Sequence, residues 1–285
     1  MNAFWYWWQH LPQKMDPVIF KIGWFKLQYY GLMYIIAFAT CYGLVLLRIR
    51  REKRFRISAD KIQNLILFLI LGVIVGGRLG YVLFYNLSYY LKHPLEIFLP
   101  FNFSNWISFT GIAGMSFHGG LIGVLVFSWM YCRKGNLNFW DAADLFAPVV
   151  PLGYTFGRVG NFINGELYGR ITTAPLGMYF PMAPGFGLRH PSQLYEAFFE
   201  GIFLFVVLWN VRNFKTPQGS MLSFYLIGYG TVRFFIEYFR QPDAHIGFVW
   251  MSFSMGQILC GLMIGGGILL YLYLCRLEQQ CTLWP

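Results

Sequence analysis

The 285 residues are 57% hydrophobic and only 12% charged, where soluble domains carry about 25% charged residues. That balance excludes an ordinary soluble globular protein, and 30 Phe, 19 Tyr and 10 Trp suit aromatic belts at two membrane surfaces. The formal net charge of +10 does not point to nucleic acid, because much of it lies in one run, Arg48, Arg50, Arg51, Lys53, Arg54 and Arg56, directly after an apolar segment. Such a run is the cytoplasmic anchor of a membrane helix beside anionic headgroups.

Residues 1–28 are mixed, with Trp5, Trp7, Trp8 and Trp24 expected as interfacial anchors. Met1–His10 lack the basic segment of a cleavable signal peptide, so the first apolar span is expected to be retained. That span runs from about Tyr30 to Leu47, and the basic run behind it places the N-terminus outside. A second span, about Ile62 to Phe84, carries Gly76-Gly77-Arg78-Leu79-Gly80-Tyr81 near its outer end. Residues 85–110, with Pro94 and Pro100, read as an outer interfacial arm.

The third span covers about Ile112 to Tyr131 and ends in Arg133-Lys134. In the fourth, about Ala142 to Phe156, Pro148 and Pro151 predict a kink or break. It delivers a polar, glycine-rich stretch, residues 157–169, to the outer face, and residues 170–189 follow as a short Pro/Gly-rich periplasmic excursion. Spans five, six and seven are expected at about Gln193 to Val211, Met221 to Phe239 and Met251 to Leu274. Every connection assigned to the inside carries a basic pair or run. The expectation is therefore an all-α integral membrane protein of one polytopic domain, residues 1–285. It has seven transmembrane helices, N-terminus outside and C-terminus cytoplasmic.

Cys41, Cys132, Cys260, Cys275 and Cys281 fall in spans or on the assigned inner side, with no CxxC pair and no zinc spacing. Neither disulfides nor a metal or other cofactor is expected.

Three arginines associated with spans, Arg78, Arg158 and Arg233, carry the chemical information. An intramembrane arginine costs about 2.5–3.5 kcal/mol on insertion scales and so faces a cavity or a partner. Tyr229, Arg233 and Glu237 recur every four residues and share one helix face. They read either as an ion pair tethering helices or as an anion site. Arg158 lies in Gly157-Arg158-Val159-Gly160-Asn161-Phe162-Ile163-Asn164-Gly165-Glu166-Leu167-Tyr168-Gly169, where glycines, carboxamides, a guanidinium and a carboxylate crowd together. His118, in Phe117-His118-Gly119-Gly120, is either a hydrogen-bonded structural residue or a general base with an unperturbed pKa of about 6.5. Around His190, Ser192 can cap the fifth helix with Glu196 in its first turn. Glu200 reads as a bystander four residues on. Tyr30, beside Gly31, either joins the aromatic belt or points into the bundle.

Six stretches in series resemble the prolipoprotein diacylglyceryl transferase family. They are Tyr30-Gly31-Leu32-Met33-Tyr34, Gly76-Gly77-Arg78, Phe117-His118-Gly119-Gly120, residues 157–169, His190-Pro191-Ser192-Gln193-Leu194-Tyr195-Glu196, and Arg233…Glu237…Arg240-Gln241-Pro242-Asp243. The resemblance covers residues 16–258 and departs from the family in the compact excursion at 170–189 and the tail after Cys275. It implies transfer of diacylglycerol from phosphatidylglycerol to the lipobox cysteine of preprolipoproteins in the bacterial inner membrane, yielding a thioether and glycerol 1-phosphate, without a metal. It also implies His118 as proton acceptor or binding residue, and Arg158 and Arg233 as phosphate ligands oriented by Glu166 and Glu237. Tyr30, Arg78, Asn161, Asn164, Gly169, His190 and Tyr229 are implied on the substrate side. A transporter would show two related halves, and an alcohol phosphotransferase of the CDP type an aspartate-rich metal motif. The chain shows no internal repeat, and only Asp141 and Asp144 lie close together.

Overall fold

A computed structural model of the chain describes residues 3–23, 25–97, 101–102, 108–109, 116–241, 248–250 and 253–282. A short helix, α1 (Ala3–Gln9), precedes an antiparallel hairpin of β1 (Val18–Ile22) and β2 (Phe25–Gln28). The first long helices are α2 (Tyr29–Arg51) and α3 (Ala59–Tyr85), followed by α4 (Leu87–Lys92) and the two-residue strands β3 (Phe101–Asn102) and β4 (Ser108–Phe109). Next come α5 (Phe117–Lys134), α6 (Phe139–Phe146) and α7 (Val150–Ile163). After a long connection, α8 (Ser192–Glu196) runs through a π-helical stretch, Ala197–Phe203, into α9 (Leu204–Val211). The chain continues with α10 (Ser220–Ile236), the strand pair β5 (Phe248–Trp250) and β6 (Phe253–Ser254), and α11 (Met255–Thr282).

Four helical stretches among the described residues are long and apolar enough to cross a bilayer: Tyr29–Arg51, Ala59–Phe84, Ser192–Val211 and Met255–Gln279. Ser220–Ile236 is a shorter apolar helix. Ile35, Leu71, Phe84, Leu262 and Leu269 stand exposed along the long helices, the surface a lipid-facing helix needs and a soluble one avoids. The chain is a mostly helical, multi-pass membrane protein.

The break expected in the fourth span is present: it is two helices, α6 and α7, with Pro151 in the first turn of the second, where its missing N–H costs nothing. Other expectations are corrected. Helix α7 continues to Ile163, so half of the glycine-rich stretch is helical rather than loop. Ser192 is not a helix cap: Pro191 takes that position, and Ser192 Oγ donates to the Leu167 carbonyl at 2.9 Å. Trp8 does more than anchor at an interface, since its indole N–H donates to Leu176 O at 3.1 Å. Trp24 and residues 112–115 lie outside the described residues.

The chain forms two compact units, Met1–Arg48 with Ala143–Pro285, and Ile49–Ala142. In the second, α3 and α5 meet through glycines. A Cβ placed on Gly72 would lie 2.7 Å from Gly123 O, one on Gly80 2.7 Å from Gly119 Cα, and one on Gly76 2.7 Å from Gly123 Cα. Gly72, Gly76 and Gly80 recur every four residues, and such a stripe brings two backbones into van der Waals contact in lipid, where apolar burial alone drives no association. Ser116 fixes the start of α5, accepting from Gly119 N at 3.3 Å while its own N–H donates to Gly77 O at 2.8 Å.

In the first unit, Arg48 departs from the expected headgroup-facing run. It is 1% exposed, and its Nη1 donates to the carbonyls of Asp144 and Leu145 at 2.8 and 2.5 Å. The Asp144 carboxylate in turn accepts from Gly219 N and Met221 N at 2.8 and 2.9 Å, capping the positive end of α10. Thus one buried arginine and one aspartate register α2, α6 and α10. At the other end, Phe162, Met178 and Phe180 form a core under residues 170–189, joined by Trp8, Leu11 and Tyr168. The backbone bond from Tyr179 N to Gln9 O at 2.8 Å ties α1 to this excursion.

Candidate active site

Three helices of the first unit place polar side chains at helical spacing. Tyr154, Arg158 and Asn161 follow one another on α7, Glu196 and Glu200 lie across α8 and its π-helical continuation, and Tyr229, Arg233 and Glu237 on and just after α10. Such faces converge only if their charges are paired, since an isolated intramembrane ion is costly. Here they are. Arg158 Nε lies 2.7 Å from Glu196 Oε2, and the other oxygen of that carboxylate lies 3.0 Å from Arg233 Nη1. Arg233 also pairs with Glu200 Oε1 at 3.4 Å and with Glu237 Oε2 at 2.9 Å. Glu196 and Glu200 are 0% exposed. Ser254 Oγ donates to Glu237 Oε1 at 3.1 Å, fixing that carboxylate from the start of α11.

The π-helical turn has a local cause. Thr155 Oγ1 on α7 lies 3.3 Å from both Ala197 O and Pro151 O and sits where Gly201 has no Cβ. A wide turn of this kind often marks a functional position, and here it carries Glu200 toward Arg233 and Tyr154.

From Arg158 the network extends outward. Its Nη1 donates to Asn161 Oδ1 at 3.2 Å, and Asn161 Nδ2 donates to Glu166 Oε1 at 2.7 Å. Asn164 Nδ2 reaches the same oxygen at 3.4 Å, while Asn164 Oδ1 is buried without a hydrogen bond among the described residues. Glu166 therefore acts on Arg158 through Asn161 rather than directly. Gly165, with φ of 69°, makes the turn that brings Glu166 back to α7. Tyr30 faces α7: a Cβ on Gly160 would lie 3.1 Å from its ring, and its hydroxyl lies 3.1 Å from that of Tyr34. That places it in the bundle rather than in the belt.

Tyr229 packs edge to face on Tyr154, with centroids 5.9 Å apart. His190 is half-buried, its Nδ1 3.3 Å from Tyr195 OH and its ring 5.1 Å from that of Phe239. Burial lowers the His190 pKa from its ordinary value of 6.5. The neutral ring is favoured, so its stabilising contribution is present above the ordinary imidazole range and is lost as the pH falls through the lowered pKa. Gly169 has a packing reason to be glycine. A Cβ there would meet Phe239 O and would lie 2.8 Å from both Cβ and O of His190. Gly169→Ala is expected to cost about 1–3 kcal/mol, the usual range for overpacking. Its melting temperature in detergent should fall in parallel with activity.

Arg78 and His118 belong to the second unit. Arg78 donates from Nε to Ile97 O at 2.8 Å and from Nη2 to Glu96 O at 2.6 Å, with its Cζ 5.0 Å from the Tyr90 ring centroid. It thus braces the segment after α3. The backbone of His118 opens α5, and its side chain lies outside the described residues. Among the described residues no three His, Cys, Asp or Glu side chains come together as a metal-binding group.

The sequence reading missed Tyr154 and Glu200 and gave Glu196 a helix-start role. The signal was present: two carboxylates four residues apart inside an apolar span demand cations as strongly as the arginines demand anions.

A multi-pass membrane protein with a buried network of two arginines and three carboxylates is the class that fold and site define. Residues 17–273 match the prolipoprotein diacylglyceryl transferase family. A protein of Chlorobaculum tepidum named phosphatidylglycerol–prolipoprotein diacylglyceryl transferase is 55% identical over 92% of this chain and 91% of its own length. Proteins of the same name from Coxiella burnetii and Bordetella avium are 45% and 43% identical, covering 91% and 94% of this chain and 96% and 98% of their own. The chain belongs to the prolipoprotein diacylglyceryl transferase family.

Proposed function

We propose that this protein transfers the diacylglyceryl group of phosphatidylglycerol to the lipobox cysteine of preprolipoproteins, the first step of bacterial lipoprotein maturation. Family membership together with the Arg158–Glu196–Arg233 network carries this reading. In the reaction the cysteine thiol gives up its proton and a carbon–sulfur bond forms at the glyceryl carbon. The carbon–oxygen bond to phosphate breaks, and glycerol 1-phosphate leaves with the electron pair. A free thiol, of pKa about 8.5, is a poor nucleophile until deprotonated, and His118 is the proton acceptor in this scheme. The leaving phosphate gains negative charge, and guanidinium donors held in advance stabilise it without reorganisation. Arg158 and Arg233 supply them. Arg158 Nη2 makes no hydrogen bond among the described residues, which leaves it for a phosphate oxygen. Tyr30, Asn161, Asn164, Glu166, Glu237, Tyr229, Gly169 and His190 line or support the substrate path, and family resemblance assigns Arg78 to the substrate side as well.

The proposed setting is the cytoplasmic (inner) membrane, with seven spans in one polytopic domain, N-terminus outside and C-terminus inside. Residues 85–110 form an outer arm and 170–189 a periplasmic excursion.

The test is glycerol phosphate release by the purified protein in detergent with phosphatidylglycerol and a synthetic lipobox peptide. Release should require the peptide cysteine, vanish when serine replaces it, and fall by about 10²-fold or more in His118→Gln, the usual range for a proton-transfer residue. Release that is indifferent to the cysteine, or none from folded wild type, rejects the transferase.

A further inference from the structure

We propose that Tyr154 and Glu200 are positioning residues that set the spacing of Arg158 and Arg233 for the phosphate of the lipid donor. This inference rests on the transferase reading above. Between the two guanidiniums Glu196 makes one bridge, with one oxygen to each. The contacts of Arg158 with Asn161 and of Arg233 with Glu237 do not connect the two. The second bridge closes the ring. The Tyr154 hydroxyl accepts from Arg158 Nε at 2.6 Å and donates to Glu200 Oε2 at 2.5 Å, while Glu200 Oε1 lies 3.4 Å from Arg233 Nη1. Arg158, Glu196, Arg233, Glu200 and Tyr154 thus form a closed cycle, with ion pairs at Glu196 and charge-assisted hydrogen bonds through Tyr154 and Glu200.

The chemistry of the cycle gives the two residues their role. Glu200 is fully buried and cannot touch a substrate, so it acts through its partners. Tyr154 is itself held, its ring edge to face with Tyr229 and 4.7 Å under the Arg158 guanidinium carbon. The hydroxyl is therefore fixed from its ring side. Two arginines locked at one separation match one distance between phosphate oxygens, and preorganisation of that kind improves binding by removing the cost of ordering the donors. The peptide thiol needs no such pair. The cycle should act on the lipid donor alone.

Kinetics of the purified protein, with phosphatidylglycerol and peptide varied separately, tests this. Tyr154→Phe removes only the hydroxyl, and Glu200→Gln keeps the shape of the side chain. Each is expected to raise KM for phosphatidylglycerol about tenfold, the loss typical of one hydrogen bond to a charged group. KM for the peptide and the melting temperature should stay near wild type. The double variant should be no worse than the poorer single one, because both lose the same bridge. Glu200→Asp keeps the charge and shortens the reach, and should share the defect. An unchanged KM for phosphatidylglycerol overturns the proposal, as does a normal Glu200→Asp, which would reduce the role to bulk charge. KM values that rise together for both substrates, or activity lost in step with melting temperature in Tyr154→Phe, also overturn it. Failure of wild type to release glycerol phosphate strikes the transferase reading instead, since the comparison then has no baseline.

Discussion

Arg233→Ala is expected to lose transferase activity by about 10²-fold or more, the scale seen when a single transition-state donor is removed, and to destabilise the fold at the same time. Three carboxylates converge on this guanidinium at 2.9 to 3.4 Å, and two of them are completely buried. Among the described residues, deleting the cation leaves Glu200 and Glu237 with only hydroxyl donors and Glu196 with Arg158 as its only cation, and breaking one side of a buried ion pair costs about 3–5 kcal/mol. Arg233→Lys separates the two effects. An ammonium restores the charge but cannot hold Glu196 and Glu237 with different arms of a planar fork. It should recover much of the melting temperature and little of the turnover. A lysine variant with wild-type turnover would show that charge alone suffices and that the bidentate geometry is incidental.

Gly76→Leu is expected to separate α3 from α5. The leucine Cβ would meet Gly119 O and lie 2.7 Å from Gly123 Cα, and these are backbone atoms that no rotamer change can move. The helices would have to part along the whole stripe, losing the close contacts at Gly72 and Gly80 as well. The loss should exceed the usual 1–3 kcal/mol of a core overpacking, because the clash is with main chain. The check is the melting temperature in detergent, with Gly76→Ala as the milder member of the series. Leu79, one of the exposed positions on α3, serves as control: Leu79→Phe should leave the melting temperature unchanged. If Gly76→Leu proves equally harmless, the glycine stripe is not the packing seam.

Much of this was legible in the linear chain, and for a physical reason. Bilayer-spanning helices must be apolar over their length, so their positions can be read directly. Pro148 and Pro151 mark the break, because proline cannot continue a helix interior but is tolerated in the first turn of the next one. Charged groups inside such spans stand out against hydrocarbon, which is why Arg158, Arg233 and Glu237 were found. The same rule would have found Glu196 and Glu200 had it been applied to acids as strictly as to bases.

What composition and spacing determined by themselves is the class of molecule, its long apolar helices and the set of intramembrane charges, because each depends on the polarity of single residues or on helical periodicity. Partnership was decided only in three dimensions. Glu196 joins Arg158 to Arg233, Glu166 reaches Arg158 only through Asn161, and Arg48 leaves its basic run to bind the end of α6. Gly169 is glycine because His190 and Phe239 close over it. Apart from the Glu166 link, which the turn at Gly165 makes locally, each of these turns on distances between segments far apart in the chain. A sequence states which charges must be paired, and only tertiary packing chooses the pairs.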